Sequence, residues 1–414
     1  MIINRITLPN GLRIVHNEDT TTQMVAVNTL YEVGSRNEDE NHTGFAHLFE
    51  HLMFGGSINI PQYDPPLQNA CGENNAYTDA DFTNYYITIP AQNVETAFWL
   101  ESDRMLSLAF SKQSLEVQRK VVMEEFKQNY LNQPYGDMGH LLFSLCYKVH
   151  PYRWPTIGLK LSHIADATMG QVKRFFKKFY RPDNAILSVV GNISWERILQ
   201  LAEKWYGDIP KGSMDMGKEK IPQEPKMRRQ RRKTVRRNVP SSVIVIAFPI
   251  PSVKNPDFMV CDIISDILAN GKSSRMYHHL VMDKGLFVSV DASVISRLDT
   301  GLFVVEGVLS PQANVDDCEM ALWEEILSVQ GELVNDHELQ KFKNKFEANH
   351  NMQNMNYLNR AQNLALYEAY GDVGRINSEV DRYCAADAEK LRMIARKYIK
   401  KTNSCVLRYL AKVQ

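Results

Sequence analysis

"TGFAHLFEHLMFGG", residues 43–56, reads as a helix that is apolar nearly all the way round, yet it carries His47, Glu50 and His51 in its middle. Phe45, Leu48, Phe49, Leu52 and Met53 spread over most of the circumference, which is the pattern of a buried helix. His47 and His51 lie one turn apart and Glu50 falls beside them, so the three form one narrow polar stripe. Burying two imidazoles and a carboxylate without partners is costly. Something must satisfy them together.

A divalent metal does so economically. Histidines at i and i+4 can each point a ring nitrogen at one ion. The order here is H-x-x-E-H, the inverted form of the better-known zinc helix. Zinc, one ion per chain, is the expected cofactor, with His47 and His51 as ligands. Glu50 is then placed to take a proton from an activated water instead of binding the metal. The plainer alternative is a pair of core histidines bonded to backbone carbonyls, with Glu50 paired to a distant arginine. The apolar surroundings favour the metal.

A catalytic zinc wants three protein ligands and one open position. The best source of the third is "SLEVQRKVVMEEFKQNYLN", residues 114–132, whose apolar stripe runs through Leu115, Val122 and Phe126. Glu125 borders that stripe, whereas Glu124 falls on the wet side with Lys120 and Gln128. Glu125 is therefore the expected ligand; the alternative for it is an ordinary surface salt bridge.

Outward from these helices the chain is globular in texture. It has 414 residues, 44% of them hydrophobic and 23% charged, enough for two to three domains. Lys and Arg balance Asp and Glu at 48 each, so nothing global points to nucleic acid as a partner. Six cysteines lack any CxxC pair and read as buried thiols of a reducing compartment. No apolar run reaches membrane-spanning length. "MIINRITLPNGLRIVHN" reads as two strands around an Asn10-Gly11 turn, not as a signal peptide. A cytoplasmic location is expected, with the periplasm open if a leader was trimmed.

Residues 211–240, "KGSMDMGKEKIPQEPKMRRQRRKTVRRNVP", break the globular texture with three prolines and a dense basic run. They are expected to be a solvated interdomain linker, since no aromatics are interleaved to stack nucleic-acid bases. The domains are then 1–210, which carries the metal, and 241–414, which does not. The halves echo each other at an offset of 219 residues: Thr168 with Asp387 as helix N-caps, Phe179 with Tyr398, and Asn184 with Asn403 before a terminal strand.

Strands are expected at 3–8, 12–17, 24–33, 84–90, 185–191, 242–249, 286–294 and 301–309. Helices are expected at 44–54, 94–106, 112–130, 168–179, 196–205, 256–269, 317–329, 336–348 and 386–399. The fold class is α+β: two similar α+β domains, each a mostly antiparallel sheet packed with helices, joined by the basic linker.

"HLFEH" with a downstream "VVMEE" resembles the pitrilysin/insulysin family of zinc metallopeptidases. "GENNAYTDADFTNYYITIP" (72–90), "HPYRWPTIG" (150–158) and "YRPDNAILSVVGNIS" (180–194) extend the likeness through most of the first half. "SSRMYHHLVMDKGLFVSV" (273–290) carries it more faintly into the second. The resemblance matches His47, His51 and Glu125 to zinc ligands and Glu50 to the catalytic base. It implies a zinc-dependent endopeptidase for peptides or unfolded segments, working as a homo- or heterodimer that encloses a chamber. It also implies that Asn75, Ala76, Tyr77 and Thr78 form an edge strand that a peptide substrate extends; an Asn-rich turn is the alternative.

Three departures from the family pattern stand out. A glutamate that supports the metal site from seven residues before the third ligand is Gln118 here, which can still support it by a hydrogen bond but cannot add negative charge. An Arg and a Tyr that hold the substrate and its tetrahedral intermediate are replaced by Val281 and Val288. In the second half Ile263, Asp266 and Ile267 stand where His47, Glu50 and His51 stand in the first. The valine pair implies a partner chain lacking HxxEH that supplies the Arg/Tyr function. The rival reading is a non-catalytic structural subunit that keeps the peptidase fold, against which the intact four-residue set argues.

Overall fold

In the computed structural model, residues 1–212 and 221–412 are described. They form two compact units, each built on one sheet. The first unit comprises Met1–Lys127, Trp154–Ile221 and His350–Ser378, and the second comprises Gln128–Arg153, Pro222–Asn349 and Glu379–Gln414. Among the described residues no helix is long and apolar enough to cross a membrane.

The first sheet runs β1 (Asn4–Thr7), β2 (Arg13–Glu18), β6 (Ala185–Gly191), β3 (Met24–Tyr31), β5 (Thr83–Pro90) and β4 (Glu73–Thr78). All neighbours are antiparallel except β2 and β6. The second sheet runs β7 (Arg231–Arg237), β11 (Cys405–Ala411), β8 (Val243–Ile250), β10 (Gly301–Leu309) and β9 (Phe287–Ile295). Its one parallel pair is β7 with β11. Strand for strand, among the described residues, the second sheet repeats the order of the first and lacks only a counterpart to β1.

The repeat extends to single hydrogen bonds. Thr168 accepts the N–H of Gln171 and Asp387 accepts that of Lys390, each capping a helix of eleven residues. Asn184 Nδ2 then donates to Phe179 O at 2.9 Å, and Asn403 Nδ2 to Tyr398 O at 2.8 Å. In both units this amide fastens the helix end to the start of the strand beside it.

The simple division at a linker does not describe the units. Met138–Cys146, from the first half of the chain, is a helix packed on β7, β8 and β11 of the second sheet. Tyr357–Tyr370, from the second half, packs on β2, β3 and β6 of the first. Each helix buries apolar residues on a sheet face that would otherwise stay wet, Leu142 and Leu145 in the first case and Ala361, Leu364 and Ala365 in the second. Ion pairs of Arg360 with Asp19 and of Arg5 with Glu368 fix that helix to the first sheet.

The basic segment is also not linker to its end. Residues 213–220 lie outside the described residues, but Arg231–Arg237 is strand β7 at the sheet edge. An edge strand tolerates exposed charge on alternate positions, so the Lys/Arg run hid its β character. Glu319 takes Arg232 through two hydrogen bonds, and Asp137 takes Arg237. Cys71 departs from the expectation of buried thiols, being exposed at a positive φ of 56°.

Candidate metal centre

The motif helix spans Phe45–Leu52. Its N-cap is Gly44 at φ +89°, which offers no side chain to the orphan amides of the first turn. Glu38 supplies the cap from outside, accepting Gly44 N–H at 2.9 Å and Ala46 N–H at 2.8 Å. Burial pushes the Glu38 carboxyl up to about 8 against the pull of those amides. Gly44 is required on two counts: the left-handed φ, and a Cβ there would meet Ile157 O at 2.8 Å. Sequence reasoning missed Glu38. A glycine-capped helix with no side-chain cap of its own was the available signal.

Phe45, Leu48, Phe49 and Leu52 are buried as expected, but the polar stripe is not sealed. The His47 side chain is 13% exposed and that of His51 25%, so the stripe opens to solvent at one side. A site that receives a substrate needs that opening.

Glu125 comes from the Lys112–Phe126 helix, which is capped by Ser111 and buries Leu115, Val122 and Phe126. Arg119 donates to the carbonyls of Ala165 and Ala167 and fixes the helix to its neighbour. The structure brings Glu125, and not Glu124, to the motif helix; Glu124 pairs with Lys127 at the surface. His47 Nε2 and His51 Nε2 are 3.3 Å apart, and they lie 3.6 Å and 3.5 Å from Glu125 Oε2.

This near-equilateral triangle fits a zinc ion. Tetrahedral ligands at about 2.0–2.1 Å stand roughly 3.3–3.4 Å from one another. Two nitrogens and a carboxylate oxygen are also the donor set zinc takes at catalytic sites. Burial pushes His47 down to about 4 although Glu125 opposes it, which keeps the imidazole neutral. The hydrogen bond from His51 holds the Glu125 carboxyl below its usual range despite partial burial. Metal binding needs this combination of protonation states. Among the described residues no other group of His, Cys, Asp or Glu side chains converges this way.

Glu50 stands outside the triangle, one residue before His51. Burial raises its carboxyl, while the adjacent Thr78 side chain pulls it back down. Thr78 ends β4, whose single partner among the described residues is β5, so Asn75, Ala76, Tyr77 and Thr78 do lie on a sheet edge and not in a turn. Asn75 Oδ1 accepts the Ala76 N–H at 2.8 Å, and Tyr77 is half-buried.

Gln118 does not brace the ligands. It is half-buried on the Glu125 helix and makes no hydrogen bond to His47, His51 or Glu125 among the described residues. Seven residues set it about 10 Å along the axis from Glu125, too far for direct support of that ligand. Val288 lies on the edge strand β9 at 58% exposure, and Val281 lies in the helical segment Tyr277–Asp283. In the Pro256–Ala269 helix Ile263 and Ile267 are buried, and Asp266 pairs with Lys345.

Residues 13–146 match the family described as Insulinase (Peptidase family M16), and residues 166–346 match Peptidase M16 inactive domain. The zinc protease PqqE of Helicobacter pylori is 27% identical over 411 residues, covering 96% of this chain and 90% of that protein. The mitochondrial-processing peptidase subunit beta of Saccharomyces cerevisiae is 28% identical over 64% of this chain and 57% of its own length. The crystal structure of a protease from Helicobacter pylori superposes with a TM-score of 0.92 at 26% identity, covering 99% of both chains.

Proposed function

The chain belongs to the pitrilysin/insulinase-like M16 peptidase family, and from that premise we propose that it is a zinc-dependent endopeptidase subunit for peptides or unfolded segments. The carrying observation is the triangle of His47, His51 and Glu125 with Glu50 beside it and outside it. Those three side chains would hold the zinc. When bound, the ion supplies Lewis acidity, lowering the pKa of a water and polarising a peptide carbonyl.

The remaining work falls to the chain's own groups. Glu50 takes the proton of the attacking water and returns it to the leaving amine, and a carboxyl raised by burial suits both transfers. The free edge of β4 orders an extended peptide through main-chain hydrogen bonds, with Asn75, Ala76, Tyr77 and Thr78 as the contact strand. Asn75 releases the Ala76 N–H when the substrate takes its place. Main-chain recognition of this kind selects extended chains with little side-chain preference.

Charge on the tetrahedral intermediate needs hydrogen-bond donors. The family's Arg and Tyr positions are Val281 and Val288 here, and neither side chain donates. We therefore include a partner in the proposal: a related chain lacking HxxEH pairs with this one, encloses the chamber with it and brings the two donors. The test is metal analysis followed by cleavage of an unstructured peptide, with and without the partner. Stoichiometric zinc with intact peptide under both conditions overturns the reading.

A further inference from the structure

We infer that the first unit carries a second ligand site, distinct from the metal triad, which takes a carboxylate borne on an apolar body. The site is a cleft of about 600 Å³, inside the range of about 300–1,000 Å³ typical of small-ligand pockets. One wall is the Met169–Phe179 helix, which presents Gln171, Arg174, Phe175 and Lys178 on one face. The other is the short turn Ser35–Asn37 and the residues leading from it to Phe45 on the motif helix.

Three rings make the floor. The Phe175 centroid is 6.1 Å from that of Phe45 and 4.8 Å from that of Phe179. Phe45 and Phe179 are buried, whereas Phe175 keeps one side in water. An apolar group laid on Phe175 completes the burial of this cluster.

The rim is cationic. Arg174 and Lys177 are exposed, and among the described residues neither has an ion-pair or hydrogen-bond partner. The acidic groups of the cleft do not cancel them. Glu38 is committed to the Gly44 and Ala46 amides, and Asp39 accepts the Asn41 N–H at 2.8 Å and lies 3.5 Å from His42. Gln171 is committed to the Thr168 cap, and Lys178 lies over the Phe179 ring.

A hydrophilic anion would leave the rings wet, and a hydrocarbon would leave Arg174 and Lys177 without a counter-charge. A carboxylate on a short alkyl or aromatic body satisfies both walls, with Arg174 offering paired N–H donors to its two oxygens. Such a group has two sources: a fatty acid, or the C-terminus of a peptide ending in an apolar residue. The site bears on the metal helix directly. Phe45 is two residues before His47, and the Phe49 ring lies 5.0 Å from Phe175.

Calorimetric titration of the full-length protein tests this without reference to catalysis. The probes are decanoate, and an acetylated tripeptide ending in Phe as its free acid and as its amide. Saturable binding of decanoate or of the free acid is expected, weakened at least ~10-fold by Arg174→Gln with Lys177→Gln and also by Phe175→Ala. Decanoate alone assigns a fatty acid; the tripeptide acid without its amide assigns a peptide terminus. Arg174 and Lys177 are exposed, so an unchanged melting temperature is expected, and Lys177→Glu alone serves if the double variant misfolds. Binding of neither probe, or equal binding by the charge variants, overturns the inference.

Discussion

His51 Nε2 stands 3.5 Å from Glu125 Oε2, although the two side chains come from different helices. With His47 they define a donor triangle whose edges suit zinc. His51→Ala removes one corner and is expected to weaken zinc binding by at least ~100-fold, beyond what loss of an outer-shell contact costs. Elemental analysis after dialysis reads the result. Retention of a full equivalent of zinc by His51→Ala would remove the triangle as the metal site.

Glu50 lies beside the triangle and contributes no ligand to it. Glu50→Gln should therefore keep the metal while cleavage of an unstructured peptide falls by about 10²–10⁴-fold, the usual worth of a positioned acid–base group. Zinc content and kcat are measured on the same preparation. An unaltered rate excludes Glu50 from the reaction.

The start of the motif helix rests on Gly44 and Glu38. Gly44→Ala forces a side chain into a left-handed conformation at φ +89° and against Ile157 O. The expected cost is about 1–2 kcal/mol, seen as a lower urea midpoint. Zinc affinity should fall in parallel, because the same turn positions His47. A midpoint equal to that of the parent chain contradicts this role.

Much of this was legible in the sequence because single residues announced it. The i, i+4 histidines, the Thr168 and Asp387 caps and the alternating strands are local patterns, and local patterns survive without knowledge of the fold. Glu125 was legible because its helix has a clear apolar border. The exchange of Met138–Cys146 and Tyr357–Tyr370 between the units was not, since a helix's sequence does not say which sheet it will cover. Strand β7 was masked by charges that only an edge tolerates, and Glu38 by the absence of any periodic signal in a lone cap. Gln118 shows the converse: the position was read from resemblance, and among the described residues it makes no hydrogen bond to His47, His51 or Glu125.

Asp19 and Arg360 hold the Tyr357–Tyr370 helix to the first sheet. Hydrogen bonding from Thr21 and the Arg360 guanidinium bring the Asp19 carboxyl down to about 2 from its usual 3.8. A folded pKa below the unfolded one favours the charged form in the native state, so the contribution is complete above pH 3.8 and lost as pH falls through about 2. Asp19→Asn should lower the urea midpoint at pH 6, and the difference from the parent chain should shrink between pH 4 and pH 2. A difference that stays constant with pH would show that Asp19 acts by packing alone.

Val288 is exposed on the edge strand β9, and the proposed pairing rests on its taking the place of a hydrogen-bond donor of the family. Loss of one such donor costs about 10²–10³-fold in kcat, so the purified chain alone should cleave peptides slowly even when fully loaded with zinc. Adding a related chain that lacks HxxEH and carries the Arg and Tyr should raise kcat by about that factor. The zinc content of this chain should not change. Replacing the Arg or the Tyr of the added chain should abolish the gain, which separates donated hydrogen bonds from simple stabilisation by pairing. Full activity of this chain alone, with no response to the added chain, would mean that donors elsewhere in its own fold serve the intermediate and that the pairing proposal is wrong.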